Sequence, residues 1–108
     1  MDYPNRLRSL GLNDARFAEG SLEPADVKSL ELEPKTLELV RLAALVAVGG
    51  AVPSYGAQAD AAVNAGATAA EIVDVLIGVI PVVGLPCVVA AAPKLALALG
   101  YDLDEALE

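Results

Sequence analysis

The sequence predicts an all-α fold on three observations. Apolar runs are entered at proline and left at glycine: Pro34 to Gly49, Pro53 to Gly66 and Pro86 to Gly100. Thr68-Ala69-Ala70-Glu71 has the spacing of a capping box, in which hydroxyl and carboxylate satisfy orphan amides at a helix start. Alanines at 57, 59, 61, 62 and 65 make a small-residue surface that lets another helix approach closely. Strands are the rival over residues 72 to 89, where Val and Ile are frequent. The length of the segments and the capping box favour helix.

The elements follow in order. Composition shifts near Glu33-Pro34. Residues 1–31 are expected to form an N-terminal arm of short helices and turns, punctuated by Pro4, Gly11, Gly20 and Pro24. Asn13 or Asp14 suits a cap for a turn through Phe17, and Glu23-Pro24-Ala25-Asp26 resembles another helix start. Residues 32–108 are expected to carry the helical core, with one domain in all. The helix from Pro34 to Gly49 shows almost no polar face beyond Arg41 and is expected to be buried on all sides. The next runs from about Pro53 to Ala65. The third follows Thr68, with Ile72, Val73, Leu76, Ile77 and Ile80 as its apolar set and Glu71 and Asp74 exposed. A break is expected near Val83-Gly84-Leu85-Pro86, then a fourth helix to Leu99 and a final turn opened by Asp102 or Asp104.

Composition excludes several chemistries. The 108 residues contain no His, so there is no Ser-His-Asp triad and no imidazole base or metal ligand. One Cys cannot make an intramolecular disulfide, a CxxC pair or a structural zinc site, and no carboxylate cluster has metal-binding spacing. Neither a metal nor a cofactor is expected. A net charge of −8 argues against nucleic acid and anionic membrane surfaces as partners. At 56% hydrophobic, so short a chain must either span a membrane or bury helix faces against other copies of itself. Residues 75–92 lack charge and reach spanning length, but Pro81 and Pro86 would remove hydrogen bonds that lipid cannot replace. A homo-oligomer is therefore the expectation, with a membrane-associated chain the weaker alternative. The opening residues lack an apolar signal segment, which makes the cytoplasm the expected location.

Three blocks carry a resemblance. Leu32-Glu33-Pro34-Lys35-Thr36-Leu37-Glu38-Leu39-Val40-Arg41-Leu42-Ala43 resembles the opening helix of the carboxymuconolactone decarboxylase family, whose superfamily includes the alkyl hydroperoxide reductase D-like proteins. Gln58 through Ile72 resembles that family's next helix, its Ala-Gly-x-Thr turn and the following helix start. Gly84-Leu85-Pro86 with the Ala-rich helix after it resembles its GxP segment. The likeness covers roughly residues 32 to 99. It implies an all-helical subunit assembling into dimers, trimers or hexamers, with trimer or hexamer favoured, and a small-molecule pocket between helices. The chain departs from the pattern where chemistry resides. Gln58 stands where the family places a His, and Ala51 and Ser54 stand where the reductase branch has its CxxC pair. Thiol peroxidase chemistry by that route needs a thiolate and a resolving partner, so it is excluded.

Candidate site residues follow from chemistry and from that resemblance together. Glu38 matches a family glutamate and is the candidate general base; the alternative is an ion pair with Arg41 at i+3. Ser54, Tyr55 and Gln58 share a helix face by spacing, with Tyr55 and Gln58 placed to stabilise developing oxygen charge and Ser54 to bind ligand. Alternatively these three satisfy one another and nearby backbone. Cys87, at the start of the fourth helix, is either a ligand-binding thiol or plain core. Arg41 and Lys94 are the cations available to a ligand carboxylate, or they pair with the surplus acids. Asp60 and Asn64 form a solvated face. The expected activity is cofactor-free acid–base chemistry of a lyase or isomerase on an enolisable or lactone-like molecule. The alternative is a catalytically degenerate oligomerisation or interaction module.

Overall fold

The structure, a computed structural model, describes residues 3–12 and 30–100. The chain divides into two compact units, Met1–Glu31 and Leu32–Glu108. In the first unit, α1 spans Tyr3–Gly11. The turn expected through Phe17, the helix start at Glu23 and the final turn after Asp102 lie outside the described residues.

The second unit holds α2 (Pro34–Val48), α3 (Val52–Asn64), α4 (Ala69–Val83) and α5 (Leu85–Ala98). Among the described residues there is no strand. Prolines sit in the first turns of α2, α3 and α5, where a missing N–H costs nothing. Thr68 caps α4 as its spacing predicts: its hydroxyl accepts from the Glu71 amide at 3.1 Å, and the Glu71 carboxylate accepts from the Thr68 amide at 3.0 Å. The break between α4 and α5 is a single residue, Gly84, whose φ of 88° is a region side chains other than glycine adopt only under strain.

Helix α2 packs on α3 and α4, and α5 packs on the same two. The four therefore close a ring in the order α2–α3–α5–α4, with lighter diagonal contact. Its centre is a layer of Leu42, Val46, Tyr55, Ala59, Ala62, Ile72, Leu76, Val88, Ala91 and Leu95. On α3 and α5 these recur every three or four residues, the stripe of a helix buried along one face. Small residues at 59, 62 and 91 hold the helices close.

Two expectations change on contact with the structure. Helix α2 is not buried on all sides: Leu37, Leu42 and Val46 face inward, while Val40 and Val48 are exposed. A ring of four helices covers only one stripe of each member. For the same reason Val73 and Ile77 on α4 are exposed although Ile72 and Leu76 beside them are buried. Residues 75–92 break at Gly84, within the expected Val83-Gly84-Leu85-Pro86, while Pro81 and Pro93 remain inside helices. Each proline denies a donor to the carbonyl four residues back, and Ile77 and Val89, which carry those carbonyls, are both exposed. No helix among the described residues is long and apolar enough to cross a membrane.

Candidate functional site

Of the six side chains the sequence singles out, the structure gathers four on one side of the α2–α3 seam and places two elsewhere. The four are built around Glu38, in the second turn of α2, with a side chain only 16% exposed. Arg41 lies one turn on and donates from Nη1 to Glu38 Oε1 at 2.9 Å, the local ion pair expected at this spacing. Gln58 reaches across from α3. Its Nε2 donates to Glu38 Oε2 at 2.7 Å and to the Glu38 backbone oxygen at 2.9 Å. Two acceptors on one amide nitrogen fix which way the amide points, leaving its oxygen as the free acceptor.

Arg41, Ser54 and Gln58 line an open hollow of about 530 Å³ whose apolar walls are Ala44, Leu45, Val48 and Ala57. Those wall residues give no signal in the sequence, because nothing distinguishes them from other small or aliphatic positions on the same helices. Chemically, the hollow presents a guanidinium with N–H groups to spare, an amide and a hydroxyl; the Glu38 carboxylate does not line it but is bonded through both oxygens to Arg41 and Gln58, which do. A carbonyl oxygen laid on Arg41 would sit close to the carboxylate.

Tyr55 and Cys87 belong to a second hollow. At about 100° per residue, Ser54 and Gln58 fall about 40° apart around α3, and Tyr55 lies about 60° from Gln58 and about 100° from Ser54, on the side of the core stripe. The expected three-residue face is thus a two-residue face, with Tyr55 1% exposed and continuous with Ala59 and Ala62. Its hydroxyl donates to the Leu45 carbonyl at a long 3.4 Å. Burial, and then the nearby Cys87, push the Tyr55 hydroxyl above its ordinary value of 10, so at neutral pH it is a donor. Cys87 is half-buried rather than core, because α5 turns only its 88, 91, 95 stripe inward. This second hollow, of about 150 Å³, is also lined by Val46, Ala91 and Lys94. Lys94 meets a backbone carbonyl, donating to Gly50 at 2.8 Å, where the sequence suggests an acid as its alternative partner.

Elsewhere, Lys35 bridges to Glu71 at 3.1 Å. The Thr68 backbone bond, then Lys35, hold the Glu71 carboxyl below its ordinary value. Asp60 and Asn64 are exposed. Among the described residues no group of three or more His, Cys, Asp or Glu is placed to hold a metal ion. Residues 9–96 match the model of the carboxymuconolactone decarboxylase family, so the match begins within the segment that the three blocks leave out. No curated protein and no solved structure matches the chain.

Proposed function

The chain belongs to the carboxymuconolactone decarboxylase family, and from that premise we propose that it binds a small organic molecule in the hollow between α2 and α3 and carries out cofactor-free proton transfer there. The observation that carries the reading is the Glu38 carboxylate, gripped by Gln58 and Arg41 beside a hollow of molecular size. Glutamine cannot move a proton at neutral pH, so the position where the family places its histidine becomes a positioning residue here. The proton falls to Glu38. In this reading a substrate carbonyl rests on the free N–H groups of Arg41 and on the Ser54 hydroxyl. Glu38 takes the proton from the adjacent carbon, and Arg41 stabilises the charge arriving on oxygen. Returning that proton to another carbon gives isomerisation. In the lyase outcome no proton is removed first: the bond to a carboxylate β to the carbonyl breaks and carbon dioxide leaves. The electron pair of that bond enters the enolate held on Arg41, and a solvent proton passed through Glu38 ends on carbon. Tyr55 is given no step in this reading, since its hydroxyl is engaged by the Leu45 carbonyl.

Exchange of the α-hydrogens of small keto acids and lactones with deuterium, followed by NMR, tests this chemistry. Glu38→Gln is expected to lower the exchange rate by about a hundredfold or more, the range a positioned base contributes. Unaltered exchange in that variant would remove Glu38 as the base.

The second reading rests on a different observation. Val48, Ile77, Val82, Val89 and Leu97 are each more than half exposed, on α2, α4 and α5. Such residues favour assembly with further copies, and we propose a homo-oligomer, a trimer or hexamer. In the interaction-module reading that assembly is all the chain retains. A concentration-independent monomer in sedimentation would exclude the assembly. An oligomer that exchanges no α-hydrogen and binds none of the tested molecules would favour the module.

A further inference from the structure

The second hollow takes no part in the chemistry proposed above, and its lining has a distinct character. Its volume of about 150 Å³ is that of an apolar cavity able to accept benzene. Val46, Ala90 and Ala91 supply an apolar wall, and three residues that carry polar groups, Tyr55, Cys87 and Lys94, complete the lining. No acidic side chain lines it. Among the described residues Lys94 has no carboxylate partner; its bond to the Gly50 carbonyl uses one of three N–H donors. A half-buried ammonium beside an apolar wall, with no carboxylate on it among the described residues, is a positive point in a chain of net charge −8.

We propose that this hollow is a binding site for a small organic carboxylate of about benzene size, with the carboxylate on Lys94 and the body lying along α5 toward Cys87. The direction follows from helix geometry. Cys87 and Lys94 are seven residues apart, on one face of α5 and separated by about 10 Å of rise. Helical side chains lean toward the N-terminus, so Lys94 leans toward Cys87. A carboxylate held at the ammonium therefore carries its hydrocarbon over Ala90 and Ala91 toward the thiol. Tyr55, a neutral donor with only a 3.4 Å bond to relinquish, stands at the same wall.

Cys87 is the only cysteine of the chain, so alkylation reports on this hollow alone. Iodoacetate and iodoacetamide deliver nearly the same group: the thiolate sulfur bonds the methylene carbon, the carbon–iodine bond breaks and iodide leaves. They differ in that iodoacetate is itself a small carboxylate. A protein of net charge −8 should slow iodoacetate relative to iodoacetamide. With the site present, the iodoacetate-to-iodoacetamide rate ratio is expected to exceed that of N-acetylcysteine by roughly fivefold, the worth of one good ion pair. Benzoate should protect Cys87 from both reagents. Lys94→Met should lose the preference and the protection, and Lys94→Arg should keep both. A ratio at or below that of N-acetylcysteine, or no protection by benzoate, overturns the proposal in the unaltered protein. If Lys94 serves only to latch Gly50, Lys94→Met changes both rates alike and leaves the ratio unmoved, which also overturns it.

Discussion

The two hollows beside α2 and α3 are built by opposite means. Around Glu38 the helices are stitched by polar bonds at the surface: Gln58 to a carboxylate and a carbonyl, Arg41 to the same carboxylate. Around Tyr55 they are held by burial, with a single long hydroxyl bond and one lysine latch. One helix supplies both, since Tyr55 and Gln58 are only three residues apart on α3. The polar site is open and adjustable, and the apolar one is small and set by packing. The chemical site therefore tolerates replacement of its polar residues with modest loss of fold, while the buried Tyr55 ring beside the packed hollow cannot be removed so cheaply.

Truncation on each side tests that contrast most sharply. Tyr55→Ala empties the largest fully buried side chain of the core and is expected to cost about 3–5 kcal/mol, the range for removing a buried aromatic ring. Urea denaturation measures it. Gln58→Ala on the same helix removes two hydrogen bonds, one of them to a charge, and should cost about 2 kcal/mol. Equal losses from the two variants would mean that the Glu38 cluster, too, is a packing feature. Thr68→Ala provides a surface yardstick away from both hollows, with an expected cost of about 1 kcal/mol from the lost cap.

Two titrations sharpen the comparison further. Because folding lowers the Glu71 carboxyl, its contribution is present above the ordinary value of 4.5 and is lost as pH falls through the lowered one. Thr68→Ala should flatten that part of the acid limb in a series of denaturant curves. Tyr55 behaves oppositely. Its raised value means that the neutral hydroxyl is the folded form, so its contribution is intact below 10 and disappears as pH climbs through the raised value. The ultraviolet titration difference between the unaltered protein and Tyr55→Phe should place the Tyr55 step above 10. A Tyr55 that ionised at the ordinary value of 10 would have its hydroxyl in water, against its burial.

Much of the fold is legible because its signals are local. Proline entry, the Thr68–Glu71 box and the Gly84 break act within one helical turn, and the structure keeps all of them to within a residue or two. The Glu38–Arg41 pair is legible for the same reason. Burial is not legible where the sequence is apolar all round, since composition cannot say which stripe of a helix another helix covers. Val48 and Ile77 illustrate it, each exposed beside a buried neighbour.

By itself, then, the sequence determined four core helices, where they start and stop, and which chemistries lack the residues to occur. Tertiary structure alone decided that Gln58 reaches Glu38 across twenty residues, that Lys94 reaches Gly50 across forty-four, and that α3 turns Tyr55 into the core. The reason is physical. Hydrogen bonds and caps within a turn depend on neighbours in the chain, whereas contacts between helices depend on how each rotates about its axis when packed, and that rotation is set by the fit of the whole core.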